Sequence, residues 1–204
     1  MTGDTPAGPP GSSAGPAGSP AGPAASAAGG KPLVVLTGPP GAGKTVVGEM
    51  LSGRLGAAFV DTDADIAAMA GKPVGDIFID DGEPAFRDLE RAAAGRALAT
   101  AGAVVALGSG AVLDPAVRDQ LRGQAVAYLS AGFPVLARRL GLDRPRVVIP
   151  GNPRGRLRAM LEERRPVYER LAALTVPSDE LAPEEIADEI AAWLSQPRTA
   201  EAPR

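Results

Sequence analysis

From residue 31 onward, short apolar runs alternate with longer stretches of helical pattern. The runs Leu33 to Thr37, Ala58 to Asp61, Ala103 to Leu107, Gln124 to Leu129 and Leu174 to Pro177 are each bounded by Gly, Pro, Asp or Ser, and are read as strands. Helices are expected between them, at about Lys44 to Leu55, Glu83 to Thr100, Pro115 to Leu121, Pro134 to Leu140, Arg154 to Arg164 and Pro183 to Leu194. The first of these should be amphipathic through Val46, Val47, Met50, Leu51 and Leu55. Strand and helix alternating in this way predict an α/β fold, a parallel sheet covered on both faces with ligands at the carboxyl ends of the strands. The polar motifs fall at those ends.

The two ends of the chain read differently. Residues 1–30 are almost wholly Gly, Pro, Ala, Ser and Thr, too poor in apolar bulk to offset the entropy of ordering, and are expected to be a disordered tail; residues 197–204 form a short polar one. One domain over residues 31–196 is what a chain of 204 residues then allows. The first segment has neither the basic start and apolar core of a signal peptide nor the arginines of a transit peptide, and no window is apolar enough to span a bilayer. A cytoplasmic monomer is expected. The chain contains no cysteine and no histidine, so disulfides, thiolate metal sites and the commonest general base are all absent. Any catalytic base must be a carboxylate, a lysine or a tyrosine.

Gly38-Pro39-Pro40-Gly41-Ala42-Gly43-Lys44-Thr45 fits the phosphate-binding P-loop, and it sits where that motif requires, between a predicted strand and a predicted helix. Glycines at Gly38, Gly41 and Gly43, with Ala42 between the last two, let the backbone turn its N–H groups toward a phosphate at the positive end of the helix. Lys44 would reach the β- and γ-phosphates of ATP, and the Thr45 hydroxyl would ligate Mg²⁺.

The second strand runs into Asp61-Thr62-Asp63-Ala64-Asp65. On an extended segment, residues two apart face the same side, so Asp61 and Asp63 are expected to face the phosphate end together, one serving the metal and the other an acceptor hydroxyl. The competing reading is that these aspartates punctuate a strand end; for Asp65 a capping role, before a helix beginning near Ile66, is the expectation. The third strand ends in a second Gly-rich turn, Gly108-Ser109-Gly110, whose backbone could approach a ligand closely.

The order GPPGAGKT, VDTDADI, DIFIDDGEPAFRDLE, LGSGAV and finally RRPVYERLA resembles shikimate kinase, in the nucleoside-monophosphate-kinase-like branch of P-loop proteins, over residues 33 to about 195. The resemblance implies a three-layer P-loop fold with a five-stranded parallel sheet, the P-loop strand at its centre, and a mobile lid. It also implies transfer of the ATP γ-phosphate to the 3-hydroxyl of shikimate. By position it assigns shikimate contacts to Asp63, Arg87, Gly108, Ser109, Gly110 and Arg164, the lid arginine to Arg146, and an adenine contact to Arg139. The chemistry suits the acceptor: two guanidinium groups, Arg87 and Arg164, would grip its carboxylate, Asp63 would orient the attacking hydroxyl, and Glu90 would hold Arg87 from one turn away. An ordinary exposed ion pair is the competing reading of Arg87 and Glu90, and plain solvation of a helix end that of Arg139.

Ten arginines lie between Arg138 and Arg170, and the Gly- and Pro-rich middle of that stretch, residues 141–155, is expected to be the lid. Nucleic acid is not the expected partner, because the net charge is −3 and aromatics make up only 3 % of the chain. Three positions depart from the family pattern. Ser109 stands where three glycines usually run together, Arg144-Pro145 rivals Arg146 for the lid register, and Leu181 replaces an arginine often found beside adenine. A kinase of another cyclitol, or a nucleotide-binding module with little catalysis, are the alternatives these departures leave.

Overall fold

In the computed structural model, residues 30–143 and 152–196 are described. The expected tails, Arg144, Arg146 and most of the proposed lid lie outside them; residues 153–155, assigned above to the lid, are instead the first turn of a helix. The strands are β1 (Val34–Thr37), β2 (Phe59–Asp61), β3 (Val104–Ala106), β4 (Val126–Ser130) and β5 (Leu174–Pro177). They form one parallel sheet in the order β2-β3-β1-β4-β5, so the strand that feeds the P-loop is central. The helices are α1 (Lys44–Leu55), α2 (Thr62–Ala70), α3 (Val74–Asp80), α4 (Gly82–Leu98), α5 (Pro115–Leu121), α6 (Phe133–Arg139), α7 (Pro153–Leu171) and α8 (Pro183–Leu194).

Alternation along the strands divides the core between the two faces of the sheet. Val34, Leu36, Val104, Ala127, Leu129 and Val176 pack against Val47 and Leu51 of α1 and Ile186 and Ile190 of α8. Val35, Val105, Val126 and Tyr128 point the other way, against Ala94, Ala97 and Leu98 of α4, Val117 and Leu121 of α5 and Tyr168 of α7. A sheet covered on both faces needs apolar residues at every strand position, which is why β1 reads as an uninterrupted apolar run rather than an alternating one. In α1 the apolar stripe is narrower than its sequence suggests, because Val46 is exposed while Gly48 and Ser52 are buried.

Three local expectations are corrected. The segment after β2 is not extended: α2 begins at Thr62, and its cap is Asp61, whose carboxylate accepts from Asp63 N at 3.0 Å. Asp65 therefore lies inside the helix, where no cap is needed. Helix α3 has no counterpart in the predicted elements; it is a short helix whose Ile77 joins Ile66, Phe86 and Ala93 in a small satellite core. Helix α7 continues past Arg164 and through Pro166 to Leu171, although Pro166 has no N–H for the carbonyl four residues back. Burial of Tyr168 against the main core and of Leu157 and Leu161 near α6 offsets that loss.

Thr62 sets the distance between neighbouring strand ends. Its side chain is fully buried, and its hydroxyl accepts from Gly108 N at 2.8 Å, tying the start of α2 to the turn after β3. Replacing Thr62 with Val keeps the shape and leaves the Gly108 N–H buried without an acceptor. Thr62→Val should lower the unfolding free energy by about 1–3 kcal/mol, and Thr62→Ser by much less, as read from urea midpoints. Equal stability of all three proteins would show that this bond holds nothing together.

Candidate active site

The carboxyl ends of β1, β2 and β3 open on one rim of the sheet, and each contributes a polar turn. The first is the loop Gly38 to Thr45. Gly43 caps α1 with φ of 96°, a left-handed conformation that a side chain would resist. Lys44 folds back over the loop and donates to the carbonyls of Gly38 at 3.0 Å and Pro39 at 3.1 Å. Burial there lowers its pKa to about 8, although Asp63 and Asp61 pull the other way. Half-buried, this ammonium is held by little besides two carbonyls and two nearby carboxylates, a place that the added negative charge of a phosphate would complete.

The second turn is the β2–α2 junction. Thr45 Oγ1 donates to one oxygen of Asp61 at 2.7 Å while the other oxygen caps α2, so a single carboxylate joins the phosphate loop to the helix that carries Asp63. Because Thr62 and Asp63 are helical, Asp63 reaches the site from the first turn of α2 and not along a strand. Burial raises the Asp63 pKa, Lys44 acts to lower it, and Asp61 adds to the rise. A carboxylate in this position is a better proton acceptor than an ordinary aspartate.

The third turn follows β3, and each of its three residues meets a different charged side chain. A Cβ at Gly108 would lie 2.8 Å from Asp63 Oδ1, and one at Gly110 would lie 2.6 Å from Arg87 Nη1 and 2.8 Å from Glu90 Oε1. A side chain at either place would have to displace these charged groups. At the middle position a side chain is admitted, and the Ser109 hydroxyl accepts from Arg164 Nη1 at 3.5 Å, a long bond. Tyr168, one turn further along α7 and stacked on Tyr128, donates to the Ser109 carbonyl at 2.7 Å.

Arg87 and Glu90 are not the exposed pair of the bland reading. Glu90 is buried, and Arg87 Nη1 donates to it at 2.6 Å while Nη2 and Nε reach Glu83 at 3.1 and 3.3 Å. Burial pushes the Glu90 pKa up and Arg87 opposes it. A buried carboxylate costs stability unless a cation faces it, so Glu90 fixes the guanidinium in one direction. Arg164 is less fully satisfied: its Nε is buried without a hydrogen-bond partner among the described residues. A buried guanidinium N–H without an acceptor is uncommon, and here it belongs to the residue whose Nη1 reaches Ser109.

Arg139, at the end of α6, does not merely solvate its helix. Its Nη1 donates to Gly41 O at 3.0 Å and its Nη2 to Ser178 O at 2.6 Å, with a longer contact from Nη1 to Ser178 Oγ at 3.4 Å. Leu181 packs at the edge of the core between α1 and α8. The structure thus gathers Lys44, Thr45, Asp61, Asp63, Arg87, Arg164 and both glycine-rich turns at one rim, while Arg144 and Arg146 lie outside the described residues. Three participants escaped the sequence reading: Thr62, Tyr168 and Ser178. Thr62 lay between two aspartates and Tyr168 two residues past Pro166, so position in the motifs was the available signal; Ser178 gave none.

Comparison with known proteins bears on the family and the fold. The family model described as shikimate kinase matches residues 40–195. A shikimate kinase of Thermobifida fusca is 53 % identical over 161 residues, covering 79 % of this chain and 94 % of the relative. A shikimate kinase of Salinispora arenicola is 49 % identical, covering 80 % and 98 % respectively. Among solved structures, a shikimate kinase from Acinetobacter baumannii in complex with shikimate superposes with a TM-score of 0.73 at 30 % identity, covering 81 % of this chain and 93 % of that one.

The depressed pKa of Lys44 has a consequence for phosphate binding. Phosphate charge favours the ammonium, so a bound triphosphate should raise this pKa from about 8, and binding above that pH should take up as much as one proton. Affinity for ATP should then fall as pH rises through about 8 in the free protein. Titration calorimetry of ATP binding at pH 8.5, in buffers of different ionisation enthalpy, checks the uptake, and Lys44→Met should abolish it. Proton release, or uptake that survives Lys44→Met, would contradict this account.

Proposed function

The chain belongs to the shikimate kinase family, and we propose that it transfers the γ-phosphate of ATP to the 3-hydroxyl of shikimate through the rim just described. The observation that carries the residue assignments is the meeting of opposite requirements at one place. Phosphate-binding groups (the Gly38 to Thr45 loop with Lys44) lie beside a carboxylate whose pKa desolvation raises, Asp63, and two guanidinium groups, Arg87 held by Glu90 and Arg164 beside Ser109.

In the proposed reaction the backbone N–H groups of Gly41, Gly43, Lys44 and Thr45 and the Lys44 ammonium hold the phosphates, while the Ala42 N–H stays on Pro39 O and braces the loop. Arg87, held by Glu90 and Glu83, and Arg164, with its free Nε, receive the acceptor carboxylate in charge-assisted pairs. The backbone of Gly108 to Gly110 forms the wall against which the ring lies. Asp63 accepts the proton of the attacking hydroxyl as its oxygen bonds to the γ-phosphorus and the bond to the β-phosphate oxygen breaks. Arg139 and Arg146 complete the nucleotide side, Arg146 being assigned from the family resemblance alone. Most of the rate advantage comes from alignment and charge neutralisation, since phosphoryl transfer asks for little covalent chemistry from the protein.

The donors at Thr45 and Asp61 suit Mg²⁺. That ion favours one or two protein oxygens plus phosphate oxygens over an all-protein cage, and among the described residues no cluster of three or more His, Cys, Asp or Glu side chains could hold a metal. When bound, Mg²⁺ supplies positive charge to the phosphate oxygens. Among the described residues no helix is long and apolar enough to cross a membrane.

ATP consumption should depend on shikimate and should not be matched by quinate, gluconate or other cyclitols in a coupled assay. Turnover of another cyclitol with none of shikimate would overturn the acceptor. Replacing Arg87 or Arg164 with Lys should raise the shikimate KM at least about tenfold and the ATP KM by far less, because an ammonium cannot make the planar two-point contact. Equal effects on both substrates would mark the arginines as structural. Ser109→Gly should change the shikimate KM by less than about tenfold, since the wall is made by backbone.

A further inference from the structure

Two side chains hold the carbonyls of the phosphate loop, and they do so from opposite sides. Lys44 takes Gly38 and Pro39 from within the loop; Arg139 takes Gly41 from α6. The peptide unit between Gly41 and Ala42 is fixed at both ends, since Ala42 N donates to Pro39 O at 3.2 Å while Arg139 holds the Gly41 carbonyl. In a trans peptide these two groups point in opposite directions, so fixing both sets the plane of the unit. The carbon of Gly41 is covered as well: a Cβ there would lie 3.4 Å from Leu140 Cγ and 3.6 Å from Leu136 Cδ2.

The other end of the Arg139 guanidinium is equally firm. Ser178 is fully buried, its carbonyl accepts from Nη2 at 2.6 Å, and its N–H donates to Ser130 O at 2.7 Å, anchoring it to the end of β4. One planar cation therefore spans from the phosphate loop, at the end of β1, to the turn after β5. A Lys44 turned toward a phosphate would release Gly38 and Pro39, whereas the Arg139 bond to Gly41 does not run through Lys44.

We propose that Arg139 is a strut that keeps the phosphate loop in its anion-accepting shape, a positioning role exerted through Gly41 that does not depend on a nucleotide base. This rests on the reading of Gly38 to Thr45 as the triphosphate loop. Stacking on adenine, expected from the family resemblance, would use the faces of the guanidinium, whereas all these bonds leave through its edge. The two roles therefore separate by ligand: a strut matters to a phosphate chain with no base attached.

The test is binding of inorganic tripolyphosphate and of ATP, each with Mg²⁺, to the full chain and to Arg139→Gln, Arg139→Lys and Lys44→Met, with melting temperatures taken alongside. Arg139→Gln should weaken tripolyphosphate about tenfold and ATP at least as much, raise the ATP KM and leave the acceptor KM unchanged. Arg139→Lys, which keeps a cationic donor for one of the two carbonyls, should recover part of the loss if Arg139→Gln folds poorly. Tripolyphosphate affinity unchanged in both Arg139 variants, with ATP alone weakened, would overturn the strut and leave a base contact. If Lys44→Met also binds tripolyphosphate as the parent does, the phosphate-loop reading itself fails, and the strut with it.

Discussion

The carboxylate of Asp61 is the joint on which the site is built. One oxygen receives the Thr45 hydroxyl and so touches the phosphate loop; the other receives the N–H of Asp63 and starts α2. An N-cap satisfies one of the orphan donors at a helix start, and here the same group also fixes where that start lies relative to the loop after β1. The start of α2, and with it Asp63, inherits its place from this joint. Thr62, next in the chain, passes the position on to Gly108 through a buried bond, and Asp63 emerges one residue later facing Lys44.

Charges gather at this rim at a cost that must be met locally. Asp63 and Glu90 are both disfavoured as anions by burial, and Lys44 is disfavoured as a cation for the same reason. Each is relieved in part by an opposite neighbour, Lys44 for Asp63 and Arg87 for Glu90. Incomplete relief is useful in a kinase: groups already aimed and poorly solvated gain more from a phosphate or a carboxylate than they would in water. The glycine-rich turn after β3 makes such crowding possible, because a side chain at either flanking position would push Asp63, Arg87 or Glu90 from its place.

Helix α7 supplies the far wall from a single stretch of sequence. Arg164 and Tyr168 lie four residues apart, one turn of helix, and both reach Ser109, the first through its hydroxyl and the second through its carbonyl. Pro166 between them removes a backbone bond that burial of Tyr168 on Tyr128 offsets. The serine at the middle of the turn thus adds a link to Arg164 in place of the empty surface that a glycine would present.

Much of this was legible in the residues themselves. Strand positions follow from apolar runs, because strands buried on both faces need them. The phosphate loop follows from a motif whose glycines have a fixed mechanical purpose, and the central place of its strand was what the family resemblance implied. Lys44, Thr45, Asp61 and Asp63 could be named from the residues themselves, and Arg87 and Arg164 from the family resemblance. The sequence could not tell whether Asp63 leaves a strand or a helix, since capping by Asp61 and burial of Ile66 decide it. Nor could it tell an exposed Arg87–Glu90 pair from a buried one, because a charge pair at helical spacing looks the same until a sheet covers one partner. The bonds of Arg139 to Gly41 and Ser178 span 98 and 39 residues, and no local pattern encodes contacts of that range. Local preference fixes the elements and the motif residues, while only packing of the sheet and helices brings distant backbone carbonyls to one guanidinium.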